Sequence, residues 1–367
     1  MAGRRRGNRL VRRLGDGSLV ARARSLVRGL GIHRRRTAEG PRATLVVGHR
    51  GAAREEAENT LPSFALALEQ GADALEADIC VTADGRFVVW HDADPDERVA
   101  LARQAGLEKL RYQPRVPDLG SRWRRKVREL TLEEFLAHHG YAPSDDDDAG
   151  GRASGRRADP ITLDELLDWA PAQDALTDLF LDVKLDEEQA DKGRALVELL
   201  ERRMSSDELP TLHLLSPCEP VVREMAKRAQ CCSESIRVSA DFELPGADRL
   251  GPKTGAPDVS LGCGERLWTG FRGDADACVR ARERGVFGMV TAWTLSEEKR
   301  LRTLVRDGVD AILTDDAALL RRIVEEKNDG ARRRSRRHPE ARSAEGSPGD
   351  LAASSRGSFA SLRMTSE

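Results

Sequence analysis

Two histidines and a pair of acidic residues lie close together in the first third of the chain, at His49, Glu76, Asp78 and His91. Imidazoles titrate near neutral pH, so two of them at one site can accept and donate protons during a reaction. Glu76 and Asp78 are two positions apart, and residues at that spacing on a β-strand point to the same face. Because two carboxylates on one face can converge on one hard cation, this set predicts metal-assisted acid–base chemistry.

Further charged residues extend this set. Arg50 follows His49, and Asp182 and Lys184 have the same two-residue spacing on a later apolar segment. Three carboxylates, two histidines, an arginine and a lysine supply a metal site, a proton-transfer pair and a clamp for negative oxygens, which are the components of phosphoryl transfer. Carboxylate oxygens without thiolates favour Mg²⁺ or Ca²⁺.

A common scaffold must position these residues, and the hydrophobic pattern predicts one. Short apolar segments alternate with amphipathic helical segments, which is the pattern of βαβ units and a parallel sheet. The eight predicted strands are 44–48, 74–79, 87–90, 179–183, 211–215, 235–239, 286–291 and 309–314. They predict a (β/α)8 TIM barrel of the α/β class, with the candidate residues at or near the C-terminal strand ends, where barrel active sites form.

The segment after the third predicted strand is too long for a simple connection, so residues 93–178 are predicted to be an insertion in the barrel. Within it, Thr131 and Thr162 each precede a helical segment with acidic residues in its first turn, which is a sequence pattern of N-terminal helix caps. The acidic run at 145–148 is predicted to be a solvated loop.

The charge distribution separates both ends from the body of the chain. The formal net charge is −2, but residues 1–43 carry 13 arginines against two acidic residues and residues 329–367 carry eight arginines against five, which leaves −16 for residues 44–328. We therefore expect a basic leader at 1–43, which is disordered, a short amphipathic helix that contacts anionic membranes peripherally, or an organellar transit segment. A barrel domain at 44–327 and a disordered basic tail after it complete the predicted organisation.

Composition excludes several classes of protein. Hydrophobic residues make up 39% of the chain and no apolar run approaches the length of a membrane span, so a soluble protein is expected. The acidic body opposes nucleic-acid binding, and it requires a bound cation beside an anionic substrate. The six cysteines lack metal-ligand spacing, which predicts reduced thiols, and the missing secretory signal predicts a cytoplasmic location.

Motifs in a fixed order identify a family. They are GHRG, ENT, GADALEAD, TADG and HD between residues 48 and 92, followed by ITLDELL, LFLDVK and the C-terminal TAWTLSEEKRLRTLVRDGVDAILTD. Over about residues 44–325 the chain thereby resembles the glycerophosphodiester phosphodiesterase family.

The resemblance implies a barrel enzyme that hydrolyses small glycerophosphodiesters, such as glycerophosphocholine or glycerophosphoethanolamine, to glycerol 3-phosphate and an alcohol. It implies that the glycerol 2-hydroxyl attacks phosphorus first, forming a cyclic phosphate that water then opens. His49 and His91 would be the acid–base pair. The residues that would hold the metal or contact the substrate are Glu76, Asp78 and Asp182 for the metal, Arg50 and Lys184 for the phosphate, Asn59 for the first loop and Trp293 for the glycerol carbons.

Some features depart from the family pattern. The third metal position usually reads Glu-Ile-Lys, whereas Asp182 is one methylene shorter, so we expect a changed metal affinity. Ala57 replaces a proline that is common before ENT, and residues 91–120 and 246–263 match the family poorly. Because those two stretches would line or cover the substrate pocket, the preference for the alcohol group is the least defined property.

Two other hypotheses stay open at this point. One is a phospholipase D-like enzyme that acts on lysophospholipids, with the basic leader docked to a membrane. The other is a non-catalytic barrel that binds a lipid or a metal. The paired histidines argue against this last reading, because a binding module needs no acid–base pair.

Overall fold

The structure, a computed structural model, describes residues 43–108, 110–144, 157–206, 208–231, 235–242, 247, 251–262 and 275–337. The predictions for residues 1–42 of the leader, for the acidic run and for the tail after residue 337 lie outside the described residues. Among the residues it does describe, no helix combines the length and apolar character that a membrane span requires.

Parallel strands close into a barrel. In chain order the described strands are β1 (Leu45–His49), β2 (Ala74–Val81), β3 (Phe87–Val89), β4 (Tyr112–Arg115), β5 (Gly140–Pro143), β6 (Ile161–Thr162), β7 (Asp178–Val183), β8 (Thr211–Ser216), β9 (Ile236–Phe242), β10 (Asp258–Gly262), β11 (Val290–Trp293) and β12 (Ala311–Thr314). Strands β1, β2 and β7 to β12 run parallel to one another around the ring, and β1 pairs with both β2 and β12 to close it. These eight strands confirm the predicted barrel.

Helices surround the barrel, and some helices belong to the insertion. The described helices are α1 (Leu61–Glu69), α2 (Arg98–Gln104), α3 (Leu132–His138), α4 (Leu163–Trp169), α5 (Ala190–Ser206), α6 (Glu219–Ala229), α7 (Ala275–Glu283), α8 (Glu298–Asp307) and α9 (Ala317–Arg337). In α8 the buried residues are Leu301, Leu304 and Val305, at the spacing of one helical face. Side chains such as Val47, Phe180 and Leu215 pack inside the barrel. The strands are thus buried on both faces, which explains their nearly continuous apolar sequences.

One predicted strand lies outside the barrel, and one barrel strand was not predicted. β3 pairs antiparallel with β2, because the turn between them is too short for the crossover that a parallel neighbour requires. The strand that completes the barrel is β10, in a segment where Ser260 interrupts the apolar pattern. The insertion follows β3, as predicted, and because β3 lies outside the ring the insertion falls between the second and third barrel strands, β2 and β7.

The insertion has a small core of its own. The ring of Trp90 packs edge-on against Phe135, with centroids 5.7 Å apart, and lies 4.9 Å from the ring of Tyr141. Helices α3 and α4 begin at the predicted caps, where the hydroxyls of Thr131 and Thr162 each accept a backbone N–H three residues later. Because the leucines of α4 join the main barrel core, α4 serves as the outer helix between β2 and β7.

The last helix extends beyond the predicted end of the barrel domain. α9 continues past residue 327 to Arg337. Arginine, lysine and glutamate are good helix formers, which accounts for a helix in a strongly charged segment.

Candidate active site

A cavity of about 330 Å³ opens at the C-terminal ends of the barrel strands. The predicted site residues that line it are His49, Arg50, Glu76, His91, Asp182, Lys184 and Trp293. The two other predicted residues, Asn59 and Asp78, are buried and hydrogen-bonded to each other. The structure therefore brings the whole predicted set together at one end of the barrel.

Three carboxylates form a compact cluster at the cavity. Glu76 and Asp78 lie on β2, and Asp182 lies directly beside Asp78 on β7. One oxygen from each carboxylate lies within 4.8 Å of the others. Burial raises the pKa of Glu76 well above its usual range, and the charges of Asp78 and Asp182 raise it further. The cluster fits a hard divalent cation, which would offset this repulsion and reach the buried, unpartnered Oδ1 of Asp182.

Lys184 reaches the same carboxylates from the end of β7. Its Nζ lies 3.1 Å from Oδ1 of Asp78 and 2.5 Å from Oδ2 of Asp182. Burial lowers the pKa of Lys184, but the two carboxylates outweigh it and leave the pKa raised. The amine is therefore charged at neutral pH and can contact a phosphate oxygen in the cavity.

The loop after β1 has a left-handed backbone at several positions. Arg50 has φ 55° and Asn59 has φ 58°, values that asparagine adopts readily and arginine seldom. Gly51 has φ 85°, and a Cβ at this position would lie 2.6 Å from the carbonyl carbon of Ser63. Such strained conformations concentrate at functional sites, where they fix the direction of a side chain.

Hydrogen bonds attach this strained loop to β2. The backbone N–H of Arg50 donates to Oε2 of Glu76 at 2.9 Å, and Nδ2 of Asn59 donates to Oδ2 of Asp78 at 2.8 Å. Nε of Arg50 also lies 2.9 Å from Oδ2 of Asp78. Burial raises the pKa of Asp78, but the charges of Arg50 and Lys184 outweigh it and hold the pKa well below its usual range. Asp78 is therefore an ionised carboxylate that joins the loop to the cluster.

Each predicted catalytic histidine faces a carboxylate through Nδ1. Nδ1 of His49 lies 2.7 Å from Oδ1 of Asp315, and Nδ1 of His91 lies 2.6 Å from Oδ1 of Asp92. Burial and the nearby charge of Arg50 lower the pKa of His91 below its ordinary value. A carboxylate at Nδ1 fixes the ring and leaves Nε2 as the nitrogen available for proton transfer.

His91 reaches the cavity by an indirect route. It was predicted at the C-terminal end of a barrel strand, but it follows the antiparallel strand β3 instead. β3 runs back along β2, so that the backbone N–H of Trp90 donates to the carbonyl of Asp78 at 2.9 Å. Because β3 is antiparallel to β2, His91 lies at the level of the acidic cluster even though β3 is not a barrel strand.

A chain of buried ion pairs connects Arg50 to His91. Nη1 of Arg50 lies 3.0 Å from Oε2 of Glu58, and the other oxygen of Glu58 accepts a hydrogen bond from Arg103. Nε of Arg103 lies 3.0 Å from Oδ1 of Asp92, the partner of His91. Burial raises the pKa of Asp92, but His91 and Arg103 outweigh it and lower the pKa.

The sequence did not reveal these connecting residues as functional. Glu58 and Asp92 lie within the ENT and HD motifs, and Asp315 is the last residue of the C-terminal motif. The adjacency of Glu58 to Asn59 and of Asp92 to His91 was the available signal, and for Asp315 it was the place at the end of a family motif. Arg103 lies in a stretch that matches the family poorly, and nothing in the sequence distinguishes it from its neighbouring arginines.

Asp241 is a further cavity residue that the sequence did not reveal. Its Oδ1 accepts a hydrogen bond from Nε1 of Trp293 at 2.5 Å. Burial and the charge of Asp182 raise the pKa of Asp241 to about 6. Asp241 lies two residues beyond the predicted end of its strand, on the same strand face as Ser239, and that parity was the missed signal.

The family comparison agrees with this geometry. Residues 49–212 match the sequence profile of the glycerophosphoryl diester phosphodiesterase family. The matched segment contains both histidines, the acidic cluster and Lys184, and it begins at His49, the last residue of β1.

Curated relatives share short, highly similar segments with this chain. A glycerophosphodiester phosphodiesterase of Caldanaerobacter subterraneus is 47% identical over 53 residues, which is 14% of this chain and 22% of the relative. A probable glycerophosphodiester phosphodiesterase 1 of Mycobacterium tuberculosis is 49% identical over 73 residues, which is 18% of this chain and 27% of the relative. The chain thus aligns with about a quarter of the length of these relatives.

Solved structures share the fold over a longer part of the chain. A putative glycerophosphoryl diester phosphodiesterase from Silicibacter pomeroyi superposes with a TM-score of 0.60 at 22% identity, covering 79% of this chain and 95% of that protein. A phosphodiesterase from Oleispira antarctica, in complex with the product sn-glycerol-3-phosphate, gives a TM-score of 0.53 at 19% identity, covering 77% and 97%. At these identities the likeness establishes the barrel fold.

Proposed function

The chain belongs to the glycerophosphoryl diester phosphodiesterase family, and we propose that it hydrolyses glycerophosphodiesters to glycerol 3-phosphate and an alcohol. The observation that carries this proposal is the convergence on one cavity of an acidic cluster and two histidines, each held at Nδ1 by a carboxylate. That combination serves charge neutralisation and proton transfer at the same phosphate.

Glu76, Asp78 and Asp182 would hold a divalent cation, Mg²⁺ or Ca²⁺. When bound, such an ion supplies positive charge to the phosphate oxygens as negative charge develops on them. Lys184 and Arg50 would contact the same oxygens from the cavity wall, since both side chains are cationic and line the cavity. Trp293, oriented by Asp241, would pack on the glycerol carbons.

His49 and His91 would move the protons. In the first step one Nε2 accepts the proton of the glycerol 2-hydroxyl as its oxygen attacks phosphorus, and the other imidazole donates a proton to the departing alcohol oxygen. The product of this step is a cyclic phosphate. In the second step the roles reverse, because a water molecule must lose a proton while the 2-oxygen regains one.

Release of glycerol 3-phosphate from glycerophosphocholine tests this proposal. Protein stripped with a chelator should be inactive and should recover when Mg²⁺ or Ca²⁺ is added. Glu76→Gln and His49→Ala should each abolish the recovered activity. Glu133→Gln and His138→Ala, which alter the same residue types on helix α3 of the insertion, are the matched controls and should stay active.

The result with other substrates decides between the two enzymatic hypotheses. Turnover of glycerophosphocholine or glycerophosphoethanolamine supports the proposal. Turnover of lysophospholipids alone would replace it with the membrane-lipid activity, and inactivity on every one of these diesters with metal present would contradict it.

A further inference from the structure

We propose that Arg103, from helix α2 of the insertion, is a positioning residue that fixes His91 and Arg50 in their working orientations. This inference rests on the proposed function, since it assigns to the insertion a role in the same reaction. Arg103 is 2% exposed and lines no part of the main cavity, so it acts through the residues that it contacts.

The guanidinium of Arg103 lies between two buried carboxylates. Its Nη2 donates to Oε1 of Glu58, and its Nε lies 3.2 Å from Oδ2 and 3.0 Å from Oδ1 of Asp92. Its Nη1 donates to Oε2 of Glu108 at 2.5 Å, so each nitrogen of the fork has an acidic partner. Arginine suits this position, because its planar fork bridges several carboxylates and stays charged when buried.

Each bridged carboxylate continues to a residue at the cavity. Oδ1 of Asp92 lies 2.6 Å from Nδ1 of His91, and Oε2 of Glu58 lies 3.0 Å from Nη1 of Arg50. Arg103 is thus the shared contact between the acid–base side of the site and its cationic side. A shift of either carboxylate would tilt the imidazole or the guanidinium that it holds.

Loss of Arg103 would leave two buried negative charges with fewer counterions. Glu58 is 2% exposed and Asp92 is 5% exposed, and a buried charge that loses its partner rearranges or takes up a proton. Both responses would move the cavity residues attached to these carboxylates. Small displacements of catalytic groups can lower rates by about 100-fold.

A purely structural role is the alternative, in which Arg103 only keeps the insertion folded. Arg124 provides a matched control for that alternative. Its side chain is 6% exposed, and it binds Oδ1 of Asp96 at 2.8 Å, Oε1 of Gln104 at 3.0 Å and nearby backbone carbonyls. Arg124 therefore ties down the same helix without contacting Glu58 or Asp92.

The experiment compares Arg103→Met, Arg103→Lys and Arg124→Met in the full chain. It measures kcat, KM and the pH dependence of kcat/KM for glycerophosphocholine, and it follows the His91 ring by NMR titration. Among the described residues, the charged groups that act on His91 include Asp92, Asp78, Glu58, Arg50, Lys184 and Arg103. Because Arg103 repels the protonated ring, its removal should raise the His91 titration point and move the corresponding limb of the pH profile upwards.

For Arg103→Met we expect kcat to fall by about 10- to 100-fold with the upward shift of the pH profile. Arg103→Lys keeps the charge but cannot bridge both carboxylates, so its titration point should stay close to wild type while kcat falls by a smaller factor. This variant also tests the proposal if the methionine variant does not fold. Arg124→Met should retain the wild-type titration point and pH profile.

Two results would overturn the proposal. One is that both Arg103 variants keep the wild-type kcat and the wild-type His91 titration. The other is that Arg124→Met shows the same changes as Arg103→Met. The NMR titration needs no substrate. If the wild-type protein hydrolyses none of the diesters, the proposed function fails on its own, and the His91 titration still decides whether Arg103 controls that ring.

Discussion

Nδ1 of His49 lies 2.7 Å from Oδ1 of Asp315, a residue 266 positions later in the chain. His49 ends β1 and Asp315 follows β12, and these are the strands whose pairing closes the barrel. The same closure that completes the fold therefore sets the orientation of one candidate catalytic ring. His91 has an equivalent partner in Asp92, but there the carboxylate is the adjacent residue.

We predict that Asp315→Asn lowers kcat by about 100-fold or more, because an amide can donate to Nδ1 and favour the wrong tautomer of His49. Steady-state kinetics on glycerophosphocholine measures this. Ser296→Ala is the control, since the Ser296 hydroxyl donates to Oδ2 of Asp315, at 3.3 Å, and not to the oxygen that faces His49. Equal losses in both variants would show that the loop conformation matters and the tautomer does not.

We predict that Asp241→Asn and Trp293→Phe each raise KM by about 3- to 10-fold, the effect of losing one hydrogen bond, with little change in kcat. The reason is that Asp241 holds the indole through Nε1. A double-mutant cycle tests the coupling. If Asp241 acts by orienting Trp293, Asp241→Asn has no further effect in the Trp293→Phe background, whereas additive effects would assign Asp241 a separate contact with the substrate.

We predict that added Mg²⁺ or Ca²⁺ raises the melting temperature of chelator-treated protein, because a ligand that binds only the folded state stabilises it. Glu76→Gln should abolish the rise. Lys184→Met should enlarge the rise in melting temperature. Nζ of Lys184 lies beside Asp78 and Asp182 and competes with the cation for these carboxylates.

Lys126→Met is the control for the lysine variant, because Lys126 pairs with Asp94 at the cavity mouth, at 3.1 Å, and not with the acidic cluster. A metal response in Glu76→Gln equal to that of wild type would place the cation elsewhere. An unchanged response in Lys184→Met would show that the amine and the cation do not compete.

We predict that His139 makes the protein less stable in acid. Burial lowers the pKa of His139 to about 4, and its Nδ1 lies 3.2 Å from the carbonyl oxygen of Phe135. In the unfolded chain a histidine titrates near 6.5, so between these values the unfolded state binds more protons and stability falls as the pH falls. The full effect is of the order of 3 kcal/mol.

Urea unfolding at about pH 7 and about pH 5 measures this contribution. His139→Phe keeps an aromatic ring beside Phe135 and removes the titration, so its stability should depend less on pH than that of wild type. His138→Phe is the control and should keep most of the wild-type dependence, because that histidine is only partly buried against Trp123 and burial is the largest cause of the shift at His139. Identical slopes for both variants would contradict the prediction.

The sequence was sufficient for the barrel class and for the residues around the cavity, because strand ends and two-residue spacing are local properties. The sequence was less informative about which individual strands belong to the barrel. β3 has the apolar composition of a barrel strand but pairs antiparallel, and β10 belongs to the barrel although Ser260 interrupts its pattern. Strand pairing depends on contacts between distant segments, which apolar composition does not encode.

The residues that orient the candidate catalytic groups were also inaccessible from sequence. Asp315 and Arg103 act across tertiary contacts, the first through barrel closure and the second through the insertion. Arg103 is one of many arginines in a highly charged chain, and its burial distinguishes it from exposed ones such as Arg98. Burial of a charged side chain is a property of the fold, so residue type and position in the sequence do not reveal it.

The antiparallel return of β3 has a consequence for recombining this protein with its relatives. A shortened barrel that joined β2 directly to β7 would keep His49, Lys184 and the acidic cluster, but it would lack His91. If the whole segment between β2 and β7 came from a relative, it would restore a histidine without the matching contact between Arg103 and Glu58. A segment exchanged between this protein and a relative would therefore have to run from the loop before α1 to the end of α2. Such a segment crosses the boundary between the barrel and the insertion.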